Sequence, residues 1–310
     1  MTRAAAAPRT VAELIRHGAG RFRRARLAFG HGLPSAEDEA AFLTLHALGV
    51  APDRLPAGLD AQPPPRVRRK VLALFERRIR EREPAPYLTG CAWLGGLRFH
   101  VDRRVIVPRS YIGELLAERL SPWLPATREV RSALDLCTGS GCLAILLARA
   151  FSKARVDATD ISPGALRVAR RNVATYRLTR RVRLVHSDLF AALGRLRYDL
   201  IVSNPPYVPD AAMRRLPPEY LHEPALALAG GRDGLDLVRN ILHEASAHLT
   251  PGGMLVMEIG HCRDRVERAF PRTPFIWPVT SGGDDCVFVV SRDDLEKTLP
   301  AAVQARRGAR

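Results

Sequence analysis

The chain has 310 residues, more than one average domain, and 46% of them are hydrophobic, enough for one large core or two smaller ones. No run of about 18 apolar residues occurs and the start lacks the compact apolar stretch of a secretory signal, so neither a membrane span nor secretion is expected. A formal net charge of +16 suits polyanionic surroundings such as nucleic acid or a ribonucleoprotein, although a GC-rich genome also writes surplus Arg.

The first thirty residues are Arg-rich and acid-poor, as in an organellar transit peptide. Thr10 and Glu13, however, form a capping-box signature ahead of an apolar stripe of Val11, Leu14 and Ile15, which predicts a folded helix. Helical spacing recurs over 36–48 (Phe42, Leu43, Leu45, Leu48) and 67–82 (Val71, Leu72, Phe75, Ile79). Ser35 is the expected N-cap of the second helix, and Pro63-Pro64-Pro65 precedes the third. Residues 1–84 are therefore expected to form a helical domain without a reactive constellation, whose work is substrate recognition. Residues 85–120 follow as a linker, in which 92–101 alternates around Gly95-Gly96 as a β-hairpin and Val105 to Ser110 leads into a helix near 111–120.

From about 130 onward, strands and helices alternate. Strands are expected at 132–136, 155–159, 182–186, 198–203, 253–259, 274–280 and 285–290, and helices at 141–151, 163–176, 234–249 and 263–270. This order predicts an α/β, Rossmann-like domain over 121–299, with a seven-stranded, mostly parallel sheet covered by helices on both faces. Ligands of such sheets bind at the carboxyl ends of the strands. Residues 300–310 are Arg-rich and are expected to be a disordered tail. The five cysteines at 91, 137, 142, 262 and 286 form no C-x-x-C pair, so no disulfide framework or metal site is expected, and a reduced, cytoplasmic setting fits.

The first of these strands runs through Asp135 into Cys137-Thr138-Gly139-Ser140-Gly141 and an apolar helix. Glycines at this turn let the backbone approach a ligand and expose helix amides. Gly139, Gly141 and Ala144 also satisfy the dinucleotide G-x-G-x-x-A pattern, which leaves NAD open. An acidic residue after each of three successive strands tilts the choice toward S-adenosylmethionine, a cationic, amine-bearing nucleoside. Asp135 can meet its ammonium group, Asp160 (followed by Ile161) its ribose hydroxyls, and Asp188 (followed by Leu189) its adenine amine. Each has a plainer alternative, since Ser162-Pro163 would cap the next helix unaided and Asp188 could serve a local turn.

The fourth strand delivers Asn204-Pro205-Pro206-Tyr207 at its carboxyl end. An amide nitrogen is a poor nucleophile because its lone pair is delocalised, so it must be held in the geometry that localises that pair. The Asn204 carbonyl can accept one N–H and the Pro205 backbone carbonyl the other, while the prolines fix φ and Tyr207 covers the planar group. Displacement at the sulfonium methyl then proceeds mainly by positioning, and needs no strong base because methylation itself acidifies the nitrogen. A proline-rich turn closing a strand would look the same in isolation.

Together, Asp135 to Gly141 and Asn204 to Tyr207 resemble the protein-(glutamine-N5) methyltransferases that modify translation proteins. Pro86 to Gly90, Val107-Pro108-Arg109, Glu223-Pro224, Gly230 to Leu235 and Glu258-Ile259-Gly260 extend the resemblance over about residues 10–295. The resemblance implies a class I methyltransferase fold, S-adenosyl-L-methionine as cofactor, and Asn204, Pro205, Pro206 and Tyr207 at the substrate amide. Cys137, Thr138, Ser140, Ile161, Leu189 and Asn204 would join the glycines and aspartates around the cofactor. Glu223, in His222-Glu223-Pro224, would shape the substrate pocket. Arg109-Ser110, Leu216 to Tyr220 and Gly30-His31-Gly32 look like the branch acting on large-subunit ribosomal protein L-three, rather than the release-factor branch. Contact with ribosomal RNA or an assembly intermediate would then suit the charge. Methylation of an adenine amine in nucleic acid shares the tetrapeptide and stands as an alternative. A non-catalytic ribosome-associated protein would not need the intact motif.

Overall fold

The capping box closes in both directions: the Glu13 N–H donates to Thr10 Oγ1 and the Thr10 N–H to the Glu13 carboxylate, each at 3.2 Å. The chain is described here from a computed structural model covering residues 7–51, 58–125 and 127–299. The tail expected at 300–310 lies outside the described residues.

Helix α1 spans Val11–Arg24, α2 Ala36–Leu48 and α3 Pro65–Glu81. Ser35 caps α2, its Oγ accepting the Asp38 N–H at 3.1 Å, and Gly49 ends the helix in the left-handed region at φ +71°. Pro65 opens α3 at the first turn, where a missing N–H costs nothing. The apolar stripes meet in a core of Leu14, Phe22, Leu43, Val71 and Phe75, with Phe22 and Phe75 edge to face at 5.3 Å. A small ion-pair network runs through it. Fully buried Arg78 forks onto Glu39 at 2.8 and 3.1 Å, and its neighbour Arg82 donates to Glu219 at 2.7 Å. Glu219 also accepts the Ala28 N–H at 3.0 Å, so Leu216–His222 belongs to this helical unit together with the chain up to Ala92 and Val101–Arg103.

A short helix α4 (Ala85–Thr89), disguised in the sequence by Pro84 and Pro86, leads to the hairpin strands β1 (Cys91–Leu94) and β2 (Leu97–His100). Gly95 and Gly96 take φ of +55° and +71°, the signs of a two-residue type I′ turn. The stretch 85–120 is shared between the two compact units.

The second unit holds α5 (Ile112–Ala117) and then β3 (Ser132–Leu136), α6 (Cys142–Ala150), β4 (Arg155–Asp160), α7 (Pro163–Thr175), β5 (Val182–His186) and β6 (Tyr198–Ser203). It continues through α8 (Asp210–Met213), α9 (Asp236–Ala245), β7 (Leu249–Glu258), α10 (Arg263–Ala269), β8 (Val287–Ser291) and α11 (Arg292–Thr298). The strands form one sheet in the order β5-β4-β3-β6-β7-β8, parallel except for the β7–β8 pair. Alternate residues serve opposite layers. Ala133, Leu200, Val202 and Val256 face α5 and α6, whereas Leu134, Ile201, Leu255 and Met257 face α9, α10 and α11.

Among the described residues this sheet has six strands rather than the expected seven. The segment read as a strand at 274–280 is reduced to a single bridge between Ile276 and Val289. Pro274 and Pro278 bracket it and have no N–H for a ladder. Helix α11 went unforeseen, although Ser291 caps it by accepting the Asp294 N–H at 3.1 Å.

The strand order reverses between β3 and β6, the point at which a crevice opens outside the carboxyl ends.

Candidate active site

At that crevice a cleft is lined by Cys137 and Gly139 after β3, Thr159, Asp160 and Ile161 around the end of β4, Asp188 and Leu189 after β5, and Asn204 and Pro206 after β6. Four turns from four strands therefore converge on one space.

The turn after β3 is built from its own polar residues. Asp135 Oδ2 accepts the Thr138 hydroxyl at 2.6 Å and the Ala144 N–H at 2.9 Å, pinning the loop to the first turn of α6. Cys137, Gly139 and Gly141 hold φ of +59°, +55° and +78°. The Cys137 value is strained for a side chain with a β-carbon and is paid out at the cleft wall. Asn172, on the buried face of α7, donates to the Ser140 carbonyl at 2.9 Å and supports the loop from beneath.

Asp160 lines the cleft with both oxygens engaged, accepting Gly139 N–H and Ser162 N–H at 2.8 Å each. Burial raises its pKa against the lowering effect of those amides. After β5, the Ser187 hydroxyl donates to the Leu189 carbonyl at 2.8 Å and accepts the Ala192 N–H at 3.0 Å. This turn leaves Asp188 exposed at the cleft and Leu189 at φ +44°.

Asn204 follows β6 directly. Its Nδ2 donates to Glu258 Oε1 at 3.1 Å, and Glu258 Oε2 accepts the Ser110 hydroxyl at 2.6 Å and the Tyr111 N–H at 2.8 Å. Glu258 closes β7 and is only 1% exposed; burial pushes its carboxyl up to about 7. Two glycines make room for Tyr207: a β-carbon on Gly260 would stand 2.7 Å from its ring, and one on Gly234 would stand 2.4 Å from its carbonyl oxygen. Gly260 and Gly234 lie in the sequence runs that accompany the motif, and their φ of +53° and +85° independently favour glycine.

The remaining expected residues stand behind the cleft. Asp135 is 0% exposed and its carboxyl is pushed up to about 7 by burial; its second oxygen, Oδ1, has no hydrogen-bond partner among the described residues. Thr138, Ser140 and Gly141 shape the loop without lining the cleft, and so do Pro205 and Tyr207 at the other end. Glu223 is buried and grips Arg109 through two bonds of 2.6 and 2.7 Å while accepting the Val107 N–H at 3.0 Å. It holds the 107–109 strap, and its neighbour Pro224 reaches the cleft. Sequence reasoning missed Arg104, Ile106, Thr159, Leu226 and Leu237 in the lining; none carries a motif, and only the tertiary fold assembles them.

This constellation fits S-adenosylmethionine. Three carboxylates face or underlie the cleft, a charge that a cationic ligand would offset. Thr159 Oγ1, in the lining, and Asp135 Oδ1 are buried oxygens left for a donor-bearing ligand. Ile161 and Leu189 supply apolar walls.

A doubly wound sheet with a glycine turn after its first strand and an Asn-Pro-Pro-Tyr motif after its fourth defines a class I methyltransferase. The sequence accordingly matches the family described as Methyltransferase small domain over residues 113–261, and the PrmC N-terminal domain over residues 13–90. It is 55% identical to the ribosomal protein uL3 glutamine methyltransferase of Bordetella pertussis over 92% of this chain and 96% of that one. The proteins so named in Neisseria meningitidis serogroup B and Burkholderia pseudomallei are each 51% identical, over 92% and 93% of this chain and 94% and 96% of theirs. The chain belongs to the ribosomal protein uL3 glutamine methyltransferases.

Proposed function

We propose that the chain transfers a methyl group from S-adenosylmethionine to the side-chain amide nitrogen of a glutamine in ribosomal protein uL3. The observation that carries this reading is that Asn204 lines the same cleft as Gly139, Asp160 and Asp188, so the acceptor and donor ends share one space. The relatives' common name supports the acceptor, and no helix among the described residues is long and apolar enough to cross a membrane. Work on a ribosomal protein fits the cytoplasm.

Bound S-adenosylmethionine supplies an electrophilic methyl on a sulfonium centre. Asp160 takes the ribose hydroxyls, Asp188 the adenine amine, and Ile161 and Leu189 flank the base. Asn204 Oδ1 accepts one N–H of the glutamine amide and the Pro205 carbonyl the other, which restrains the amide and favours localisation of its lone pair. Tyr207 and Glu223 hold the walls. The helical unit recognises the protein substrate.

A ribosomal RNA contact is supported by α3, where Arg66, Arg69, Lys70, Arg77 and Arg80 are exposed and helical spacing sets them on one face. Its first turn holds no acid, although cations there oppose the helix dipole. Arg77 and Arg80 share Glu81, so the open charge lies at the N-terminal end. Salt-sensitive binding to an RNA duplex, lost on reversing Arg66, Arg69 and Lys70, is the expected result.

Incubation of the enzyme with isotopically labelled S-adenosylmethionine and purified uL3 or release factor, followed by peptide mass spectrometry, tests the central reading. Label on a uL3 glutamine supports it. Label on the release factor alone, on another residue type, or on neither protein overturns it.

A further inference from the structure

Glu258 is a costly residue to bury. It is 1% exposed, and among the described residues no Lys or Arg is hydrogen-bonded to it; Arg109, whose charge favours its ionised form, is bonded to Glu223. An apolar side chain at the end of β7 would serve the core better. What an ionised carboxylate offers instead is two oxygens that accept and do not donate. Oε2 is fixed by the Ser110 hydroxyl and by the Tyr111 backbone N–H, a donor that cannot turn round. Oε1 meets Asn204 at 3.1 Å and, being an acceptor, requires that Nδ2 and not Oδ1 face it. The planar amide of Asn204 then has its oxygen directed away from Glu258.

We propose that Glu258 is a positioning residue for methyl transfer, fixing the amide of Asn204 so that its Oδ1, and not its NH₂, is offered to the substrate amide. This rests on the methyl-transfer reading above. A free asparagine could flip at little cost, and the flipped form would set NH₂ against NH₂. Drawing the Nδ2–H onto a carboxylate also polarises the Asn204 amide and strengthens Oδ1 as an acceptor. Ser110 and Tyr111 have a part in the same device, because they settle which carboxylate oxygen is left for Asn204.

Glu258→Gln is the discriminating variant, since it keeps volume and shape. The Tyr111 N–H holds the glutamine oxygen where Oε2 was, so the new NH₂ faces Asn204 and turns that amide over. Turnover should fall by about 100-fold, the scale on which a misplaced polar group at a reacting centre is felt, with the KM for uL3 changing far less. Combined with Asn204→Ala, it should add little further loss, because the two residues act as a unit. Ser110→Ala, which leaves the backbone donor in place, should cost much less.

A second readout needs neither methyl donor nor acceptor. The side-chain ¹⁵N amide resonance of Asn204, assigned by its loss in Asn204→Ala, should shift in Glu258→Gln. Near-normal turnover in Glu258→Gln, fully additive losses with Asn204→Ala, or an unmoved Asn204 amide would each overturn the proposal. Absence of methyl transfer by the wild-type enzyme would overturn the functional reading instead, and the amide resonance would still decide the role of Glu258.

Discussion

Asp160 at the end of β4 and Glu258 at the end of β7 are both desolvated carboxylates, yet their oxygens are filled from different sources. Asp160 takes two backbone amides, from Gly139 and Ser162, which are part of the turns themselves. Glu258 takes the Tyr111 backbone amide and, in addition, two side chains, Ser110 and Asn204, brought in from distant segments. Backbone donors fix a wall, whereas side-chain donors can be reoriented by their acceptor. The β4 end is thus built as a rigid seat, and the β7 end as a device that sets one movable group. Removing a group at the first should therefore damage binding, and at the second turnover.

The largest expected effect is at the movable group. Asn204→Ala should lower kcat by about 1000-fold, the upper range for loss of one positioned hydrogen-bonding group, with donor affinity falling far less. Single-turnover methylation of uL3 beside calorimetric binding of S-adenosylmethionine separates the two, and a loss confined to binding would erase the contrast. Asp160→Ala should do the reverse. Donor affinity should weaken by about 10- to 100-fold, and stability should fall as the Gly139 and Ser162 amides lose their acceptor, at about 1–3 kcal/mol for each one left buried and unsatisfied. Unchanged affinity in that variant would show that the β4 end is only scaffold.

Smaller and graded is the effect of pH. Burial pushes the Glu258 carboxyl up to about 7, and it must be ionised to act as the acceptor described above. Arg109, Tyr111, Tyr207 and Cys286 are the charged or titratable groups around it, and Arg109 alone of these favours ionisation. The kcat profile should rise with pH to a plateau above about 7, falling about tenfold per unit below it, and the acid limb should be missing from the residual activity of Glu258→Gln. An unchanged limb in that variant would assign it to another group.

The same contrast governs how much could be read from the sequence. Strands at 182–186 and 198–203 stand at the expected bounds because their signal is local: Val182, Leu184 and Val185 in the first, and Tyr198 with Leu200 to Val202 in the second. The capping of α1 and α2, the Gly95-Gly96 turn and the glycine loop were equally legible, since each is decided within a few residues. The single bridge at Ile276 was misread as a strand because its β-pattern outweighed the flanking prolines. The contact of Asn204 with Glu258 spans 54 residues and that of Ser110 with Glu258 148, so no spacing rule could join them. Glu219 was read only as part of a run after the motif, yet its partners Ala28 and Arg82 lie in the helical unit. Asp135 was read at a ligand; its bonds to Thr138 and Ala144 engage one oxygen and leave the other without a partner among the described residues.

Asp135 yields the finest test of whether the β3 turn behaves as wall or as device. Its folded carboxyl is pushed from 3.8 to about 7 by burial, so the folded protein binds that proton more tightly than the unfolded chain does. The stabilisation is complete below the unfolded value and is lost as pH rises through about 7. Asp135→Asn cannot lose it, because asparagine keeps an oxygen for Thr138 and Ala144 and carries no charge. The variant should therefore gain thermal stability relative to wild type as pH increases from about 4 to 8, with little difference at the acid end. A buried charge that lowers stability at neutral pH requires a reason, and a cationic ligand group near the unpartnered Oδ1 would provide one. Asp135→Asn should then bind S-adenosylmethionine about tenfold more weakly, a loss of about 1.4 kcal/mol, despite being the more stable protein. Equal affinity with greater stability would mean that the carboxylate serves the loop alone.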